Sequence, residues 1–204
     1  MRSIEKIKDS GLILDVGCST GFFLDISKKS GWQTFGIELG LKESKVARSK
    51  GHNVLSCSIG QANFSSKFDV ITLWDVFEHI SNPYRCLKEL SMVLKKGGLI
   101  FLQIPNVGSL APRLMQAKCN MFDGVEHCNL YNKATIEIVM KNTNYSIESV
   151  ESLISEISVM NNYLDYEDPY FGSSKTNELL LGLIDEKMIH KNYLGYKFQI
   201  IIRC

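Results

Sequence analysis

The stretch that follows the first apolar run carries residue types that could hold a nucleotide. The run 12–14 has the length and content of a buried strand, and Asp15 stands at its end. Gly17 and Gly21 close a small-residue loop, and an apolar helical face is expected to begin at Phe22. A strand, a tight loop and a helix in this order predict the first unit of a nucleotide-binding α/β sheet.

The loop lacks the features of a phosphate-binding loop. Ser19 and Phe22 stand where the dinucleotide pattern G-x-G-x-x-G needs glycine, and the chain contains no G-K-[ST] string. The carboxylate of Asp15 disfavours a phosphate and suits a positively charged ligand. Glu38 follows the strand-like run 33–37, where an acid can accept both hydroxyl protons of a ribose. The two acids predict a site for an unphosphorylated, cationic nucleoside, and S-adenosylmethionine, with its ammonium and sulfonium groups, fits that description.

Three motifs resemble those of the class I S-adenosylmethionine-dependent methyltransferases. Residues 15–21, Asp-Val-Gly-Cys-Ser-Thr-Gly, resemble the first motif of that family, usually D/E-x-G-x-G-x-G, with Ser19 at the middle glycine. Residues 68–80, Phe-Asp-Val-Ile-Thr-Leu-Trp-Asp-Val-Phe-Glu-His-Ile, resemble its fourth-strand motif, and residues 94–100 resemble the motif before its fifth strand. The three motifs occur in the family's order over residues 12–106.

The resemblance implies the fold and its division. We expect an α/β fold with a doubly wound, seven-stranded, mostly parallel sheet whose last strand is antiparallel. Residues 1–204 then form a single methyltransferase domain, with the cofactor-binding half at 1–106 and a substrate-side half with irregular insertions at 107–204. The irregular segment 107–125 is expected to help cover the substrate. Tyr163, Tyr166 and Tyr170 are candidates for lining the substrate entrance.

The resemblance also implies the cofactor S-adenosyl-L-methionine, with S-adenosyl-L-homocysteine as the product. Asp15 is expected near the methionine ammonium through a water molecule, Gly17 and Gly21 allow close backbone approach, and Glu38 binds the ribose. The residues expected to bind the cofactor are Asp15, Gly17, Cys18, Ser19, Gly21, Phe22, Glu38, Leu39, Ser58, Ile59, Trp74, Asp75 and His79.

Three of these positions also have a purely structural interpretation. Ser58 stands where the family places an acidic or polar residue against the adenine, but it is equally an ordinary loop serine. Trp74 either belongs to the core or forms a wall beside the methionine or the substrate. Asp75 either caps a helix or contacts the cofactor or substrate.

The histidines leave further alternatives open. His79 either forms a structural pair with Glu78 at the start of a helix or contacts the methyl side of the cofactor. Asp75, Glu78, His79 and His127 together also offer two carboxylates and two imidazoles that suit a divalent cation. Family members that bind magnesium with a similar string usually carry Glu at the first position, where this chain has Asp75, and we predict no metal. His127 is the candidate catalytic base for a substrate hydroxyl, because an imidazole titrates near neutrality.

Composition limits the partners and the compartment. The 204 residues are 45% hydrophobic with a formal net charge of +1 and no basic run, so nucleic acid is not expected as a partner. No apolar run has the length of a membrane span, and the start of the chain lacks a signal-peptide core, so a cytoplasmic protein is expected. The six cysteines form no C-x-x-C pair, which argues against a zinc ribbon or a disulfide framework.

The local patterns predict the elements that position these residues. Helices are expected at 1–10, 22–30, 42–50, 133–142 and 176–190, with another running from Pro83 to Gly97-Gly98. Strands are expected at 33–37, 53–57, 68–73, 99–104, 145–154 and 196–202, and a loop at 155–174. The chain starts almost at the first motif, so either the lid over the cofactor comes from elsewhere or the chain is a fragment.

The function expected from these patterns is methyl transfer to a small-molecule acceptor, with O- or N-methylation favoured over C-methylation. One alternative is a non-catalytic or degenerate cofactor-binding domain that acts in an assembly. An NAD-dependent oxidoreductase is disfavoured by Asp15 and the failed glycine pattern. A nucleic-acid amino-methyltransferase is disfavoured because Trp-Asp-Val-Phe at 74–77 replaces the N/D-P-P-Y/F string. The sequence leaves the acceptor and the oligomeric state open.

Overall fold

The computed structural model describes residues 1–5, 7–122, 124–154 and 185–204. The predicted loop 155–174, the three tyrosines at 163, 166 and 170, and most of the predicted helix 176–190 lie outside the described residues. No helix in the described parts of the chain is long and apolar enough to cross a membrane.

A seven-stranded sheet forms the centre of the molecule, in the order β3-β2-β1-β4-β5-β7-β6. Strands β1 to β5 pair in parallel, and β7 pairs antiparallel with both β5 and β6. The predicted α/β fold with its antiparallel last strand is therefore confirmed. The strands are β1 (Leu12–Val16), β2 (Gln33–Ile37), β3 (Asn53–Leu55), β4 (Phe68–Trp74), β5 (Leu94–Pro105), β6 (Ser146–Leu153) and β7 (Lys197–Arg203).

Short helices connect the strands, and their ends follow the expected local signals. Asn82 caps α4 by accepting the Arg85 N–H, and Asn132 caps α6 by accepting the Thr135 N–H. The helices are α1 (Arg2–Glu5), α2 (Phe22–Lys29), α3 (Leu41–Ser49), α4 (Pro83–Val93), α5 (Leu110–Met115), α6 (Lys133–Lys141) and α7 (Glu186–Lys191), with 3-10 turns at Ile59–Gln61, Phe77–His79, Gln116–Lys118 and Asn120–Phe122.

Strand order places the crevice of the sheet beside β1. The chain moves outwards from β1 to β2 and β3, then returns to the other side of β1 with β4. In open α/β sheets, ligands bind outside the carboxyl ends of the strands at such a switch point. Strands β1 and β4 are almost entirely buried, so they hold the residues that follow them in fixed positions.

Several predicted boundaries are wrong. Helix α1 covers only Arg2–Glu5 of the predicted 1–10, and β3 ends at Leu55 rather than at residue 57. Helix α4 ends at Val93, not at the Gly97-Gly98 pair, because Leu94 already has extended backbone and pairs with Phe68 at the start of β5. The two glycines lie inside β5, where the register between β4 and β5 shifts.

The segment 107–125 is less irregular than predicted, because part of it is helical. Ala111, Pro112 and Met115 of α5 are buried. Ala111 and Met115 pack with Met121, Ile189 and Tyr196 in a small apolar cluster beside the end of β5. This cluster links the segment after β5 to α7 and to the residue before β7.

Candidate cofactor-binding site

The loop after β1 has the backbone geometry of a glycine-rich loop. Gly17, Ser19 and Gly21 all have left-handed backbone, with φ values of 77°, 47° and 81°. A Cβ atom at position 17 would lie 2.5 Å from the Val76 Cγ2 atom, so glycine is required there on both conformational and steric grounds. The left-handed φ of Ser19 gives a physical reason why glycine is usual at this position of the resembled motif.

Glu38 ties this loop to the segment after β2. Its Oε2 atom accepts the Ser19 N–H at 2.8 Å, and its Oε1 atom accepts the Gly40 N–H at 2.7 Å. The N–H groups of Gly17 and Cys18 both donate to the Ile37 carbonyl. Each carboxylate oxygen of Glu38 keeps a second lone-pair direction, so a pre-oriented carboxylate remains available to two hydroxyl donors.

A cavity of about 490 Å³ opens beside the loop. Five residues expected at the cofactor line it, namely Gly17, Glu38, Leu39, Ser58 and Ile59. Val76, Ile80 and Arg85 also line it and were missed from the sequence. They could have been found from the sequence by their position in the connection after β4, which begins at the carboxyl edge of the sheet. A second cavity, of about 460 Å³, lies near β3 and holds none of the predicted residues.

Asp15 lies beneath the loop rather than in the cavity wall. Its side chain is 2% exposed, and the Thr72 hydroxyl donates to its Oδ1 atom at 2.7 Å. Burial raises the pKa of Asp15 from 3.8 to about 7, the Thr72 hydrogen bond opposes this rise, and the nearby charge of Glu38 adds to it. A cation bound beside Asp15 would oppose the rise, because an opposite charge favours the ionised form.

The other loop residues divide between core and surface. The Cys18 side chain packs with Leu24 and Ala47, and burial raises the pKa of its thiol to about 12, so only its backbone is suited to ligand contact. Phe22, where the apolar face of α2 was expected to begin, is 72% exposed, so that face is not buried at its start. The buried residues of α2 are Leu24 and Ser27.

The residues that end β4 contact other strands and helices. Trp74 packs edge-on against Phe23, with ring centroids 5.0 Å apart, which is the core arrangement that the sequence left as an alternative. Asp75 has a left-handed φ of 54° and does not cap a helix. Its Oδ2 atom accepts hydrogen bonds from Gln103 on β5 and Lys197 on β7.

Ser58 lies at the start of the 3-10 turn Ile59–Gln61. Its hydroxyl donates to the Gln61 side-chain oxygen at 2.9 Å, and the same oxygen accepts the Ser58 N–H at 3.3 Å. Ser58 therefore has the local structural role that the sequence left as the alternative to adenine contact. It also lines the cavity.

Glu78, His79 and His127 come together outside the cavity, and we refer to them as the Glu–His–His cluster. One ligand atom from each residue lies within 4.8 Å of the others. The two imidazoles stack with centroids 5.1 Å apart, and the His79 Nε2 atom is 3.9 Å from the Glu78 Oε1 atom. Asp75 does not join the cluster, so the four-residue set with two carboxylates, which the sequence left as an alternative, is not formed.

The cluster is held by hydrogen bonds to the backbone. The Nδ1 atom of His79 donates to the Glu126 carbonyl at 2.8 Å, and the Nδ1 atom of His127 donates to the Met121 carbonyl at 3.0 Å. Glu78 is 1% exposed, and burial raises the pKa of its carboxyl group. The sequence indicated these three residues, but it could not show that Asp75 would turn to Lys197 instead.

Comparisons with known proteins agree with this geometry. Residues 1–150 match the family model described as a methyltransferase domain. An uncharacterised protein of Methanocaldococcus jannaschii, MJ1252, is 26% identical over 201 residues, which cover 93% of this chain and 73% of that protein. A ubiquinone biosynthesis O-methyltransferase of Serratia proteamaculans is 30% identical over 103 residues, 46% of this chain and 42% of the relative. This chain therefore matches less than half the length of that O-methyltransferase.

The fold also resembles that of a solved methyltransferase structure. The crystal structure of an S-adenosylmethionine-dependent methyltransferase from Archaeoglobus fulgidus superposes with a TM-score of 0.64 at 20% identity, and the match covers 100% of this chain and 90% of that one. The family match covers both the loop after β1 and the strand that ends at Trp74. The chain therefore belongs to the methyltransferase-domain family, the class I methyltransferases whose cofactor is S-adenosylmethionine.

Proposed function

We propose that this chain transfers the methyl group of S-adenosylmethionine to a small-molecule acceptor, with an oxygen or nitrogen atom as the nucleophile. The observation that carries the proposal is the 490 Å³ cavity at the switch point, with Glu38 and the bare face of Gly17 on its wall. The similarity to a ubiquinone biosynthesis O-methyltransferase over 103 residues supports a small acceptor and O-methylation.

In this proposal, residues 1–106 hold the cofactor. Glu38 accepts both ribose hydroxyl groups on the lone pairs that face away from Ser19 and Gly40. Leu39 and Ile59 enclose the adenine, and Ser58 contacts its edge. Leu39 is 71% exposed in the ligand-free chain, and contact with the adenine would remove that apolar surface from water. Asp15 attracts the methionine ammonium from beneath the loop, and Gly17 leaves room for the methionine chain.

The reaction is an in-line displacement. The acceptor's lone pair forms a bond to the methyl carbon while the bond between that carbon and sulfur breaks. The electron pair of the broken bond stays on sulfur, so the leaving group is neutral S-adenosylhomocysteine. The methyl group is already activated by the sulfonium, so the protein contributes mainly alignment and exclusion of water. A hydroxyl acceptor also loses a proton, and His127 is the proposed base. Residues 107–204 are proposed to form the acceptor side.

Thermal unfolding with different nucleosides tests the cofactor part of the proposal. A ligand at about 100 times its dissociation constant adds roughly 2.7 kcal/mol to the free energy of unfolding. S-adenosylhomocysteine and S-adenosylmethionine should therefore raise the melting temperature, and NAD should not. Glu38→Ala should lose the ligand-induced increase relative to its own ligand-free form, whereas Glu43→Ala, which removes a neighbouring acid outside the cavity wall, should keep it.

Turnover tests the enzymatic part. Release of S-adenosylhomocysteine should depend on an added acceptor when hydroxyl- and amine-bearing small molecules are supplied as a panel. Stabilisation by both adenosyl ligands without acceptor-dependent release across the panel would favour the non-catalytic binding alternative. No stabilisation by either ligand would contradict the proposed site itself.

A further inference from the structure

The segment after β3 supplies no carboxylate to the cavity. Ser56, Cys57 and Ser58 follow this strand, and none of them is acidic. The Ser58 hydroxyl and N–H both donate to the Gln61 side-chain oxygen, so the side chain of Ser58 offers a ligand only its hydroxyl oxygen. The amino group of an adenine carries two protons, and leaving one of them without an acceptor away from water is unfavourable. An adenine in this cavity therefore needs a second acceptor from another part of the wall.

Helix α4 brings a carboxylate to that wall. Glu89 lines the cavity, and its side chain is only 16% exposed. The carboxylate lies against Gly60 in the turn Ile59–Gln61, because a Cβ atom added at position 60 would be 2.6 Å from the Glu89 Cδ atom. Gly60 does not have left-handed backbone, and the absence of a side chain there leaves the space that the carboxylate occupies. Glu89 therefore lies next to the turn that carries Ile59, one of the residues proposed to enclose the adenine.

Arg85 orients this carboxylate from one turn earlier on α4. Its Nε atom donates to the Glu89 Oε1 atom at 2.8 Å. Within the described parts of the chain, no group donates a hydrogen bond to the Glu89 Oε2 atom. The Arg85 side chain is largely exposed, and such a pair on a helix surface contributes little to stability. The pair therefore fixes the direction of the carboxylate and leaves one of its oxygens available to a ligand in the cavity.

From these observations, we propose that Glu89 selects adenine among the purine bases, because its Oε2 atom accepts one proton of the adenine amino group. The inference rests on the proposed function, since it concerns the base of the cofactor whose ribose Glu38 is proposed to hold. Glu38 and Glu89 line the same cavity. Hypoxanthine and guanine carry an oxygen where adenine has its amino group, and the carboxylate would repel that oxygen. Glu89 is thus a specificity-determining residue for the cofactor.

Calorimetric titration of the intact chain with three nucleosides tests this role. The probes are S-adenosylhomocysteine, its analogue with a hydrogen atom in place of the amino group, and S-inosylhomocysteine, which has an oxygen atom there. The wild type should bind S-adenosylhomocysteine about tenfold more tightly than the hydrogen analogue, because the analogue cannot donate to the carboxylate. It should bind S-inosylhomocysteine more weakly than either, because two oxygens would then face each other.

Glu89→Gln keeps the shape of the side chain and removes its charge. The Arg85 Nε atom would hold the amide oxygen, so the amide nitrogen would face the base. This variant should therefore bind S-adenosylhomocysteine and the hydrogen analogue with affinities within about twofold of each other. It should bind S-inosylhomocysteine more tightly than the wild type does, because the amide can donate to its oxygen. Glu137→Gln, which changes the corresponding Lys133–Glu137 pair on α6, should keep the wild-type ratios.

The ratios of affinities separate base recognition from a structural role. If Glu89 only supports the turn Ile59–Gln61, Glu89→Gln should change the affinities for all three nucleosides by the same factor, and unchanged ratios would overturn the inference. Equal binding of S-adenosylhomocysteine and the hydrogen analogue by the wild type would overturn it as well, while the proposed cofactor site would stand. Absence of S-adenosylhomocysteine binding to the wild type would overturn both proposals, so the two failures are distinguishable.

Discussion

Asp15 should make the ligand-free protein less stable at neutral pH, and its replacement by asparagine tests this. The asparagine keeps an oxygen that accepts the Thr72 hydroxyl, but it cannot ionise. The side chain is 2% exposed, so little water reaches the charge in the wild type. The variant therefore removes a buried charge while it keeps the shape and the hydrogen bond.

The pKa of Asp15 sets both the sign and the size of the effect. Burial raises this pKa from 3.8 to about 7, so between these two pH values the folded chain binds more protons at this site than the unfolded chain does. The contribution of Asp15 to stability therefore falls as pH rises from about 4 to about 7 and is constant above that. The full loss is on the order of 4 kcal/mol at pH 8.

Urea denaturation of the wild type and Asp15→Asn from pH 4 to pH 8 measures the difference. Near pH 4 the two free energies of unfolding should agree within about 1 kcal/mol, because the unpaired charge is largely absent in both. At pH 8 the variant should be more stable by up to about 4 kcal/mol. Equal pH profiles, or a less stable variant at pH 8, would refute the reasoning. Asp15→Asn should also weaken S-adenosylmethionine binding, because it removes the charge that is proposed to attract the ammonium.

Three further changes test other parts of the account. Gly17→Ala should lower the free energy of unfolding, measured in urea, by about 3 kcal/mol, because its Cβ atom would lie 2.5 Å from Val76. This variant should also lose the rise in melting temperature with S-adenosylhomocysteine. Gly31→Ala, at a φ of 85° with no atom near the added Cβ, should cost only about 1 kcal/mol. Asn106→Ala should cost about 3 kcal/mol in the same assay, because Asn106 is fully buried and donates to the carbonyls of Tyr193 and Gly195. The control variant Asn192→Ala, on the exposed end of α7, should change the free energy of unfolding by no more than about 0.5 kcal/mol. Burial alone would raise the pKa of Asp69, but hydrogen bonds from Lys8, Lys95 and the Leu12 N–H lower it to about 2. Asp69→Asn should therefore be about 2 kcal/mol less stable than the wild type at pH 7, and the gap should close as pH falls from about 4 to about 2.

The fold and the first loop could be predicted because local patterns decide them. The continuous burial of β4 and the left-handed positions of Gly17 and Gly21 are encoded by residues that are neighbours in sequence. The position of Glu38 could be predicted because an acid at the end of β2 must lie beside the loop after β1 in a parallel sheet. Its hydrogen bond to the Ser19 N–H confirms that closeness.

The remaining features depend on contacts between distant residues. Asp75 turns away from Glu78 because Lys197, 122 residues later, reaches it from β7. The exposure of Phe22 depends on where α2 lies on the sheet, which a helical pattern alone does not give. Helix α4 ends before its glycines because pairing with β4 begins at Leu94, and strand pairing outweighed the local stop signal.

Calorimetric titration of S-adenosylhomocysteine into the wild type, Glu38→Gln and Glu43→Gln tests the central claim most directly. Charge-assisted bonds of the kind proposed between the Glu38 carboxylate and the ribose hydroxyl groups are worth about 1.5–3 kcal/mol each, so Glu38→Gln should weaken binding by at least tenfold. Glu43→Gln should bind as the wild type does. Binding by the wild type with a one-to-one stoichiometry and this order of affinities is the predicted result. Equal affinities in all three proteins, or no binding to the wild type, would contradict the account.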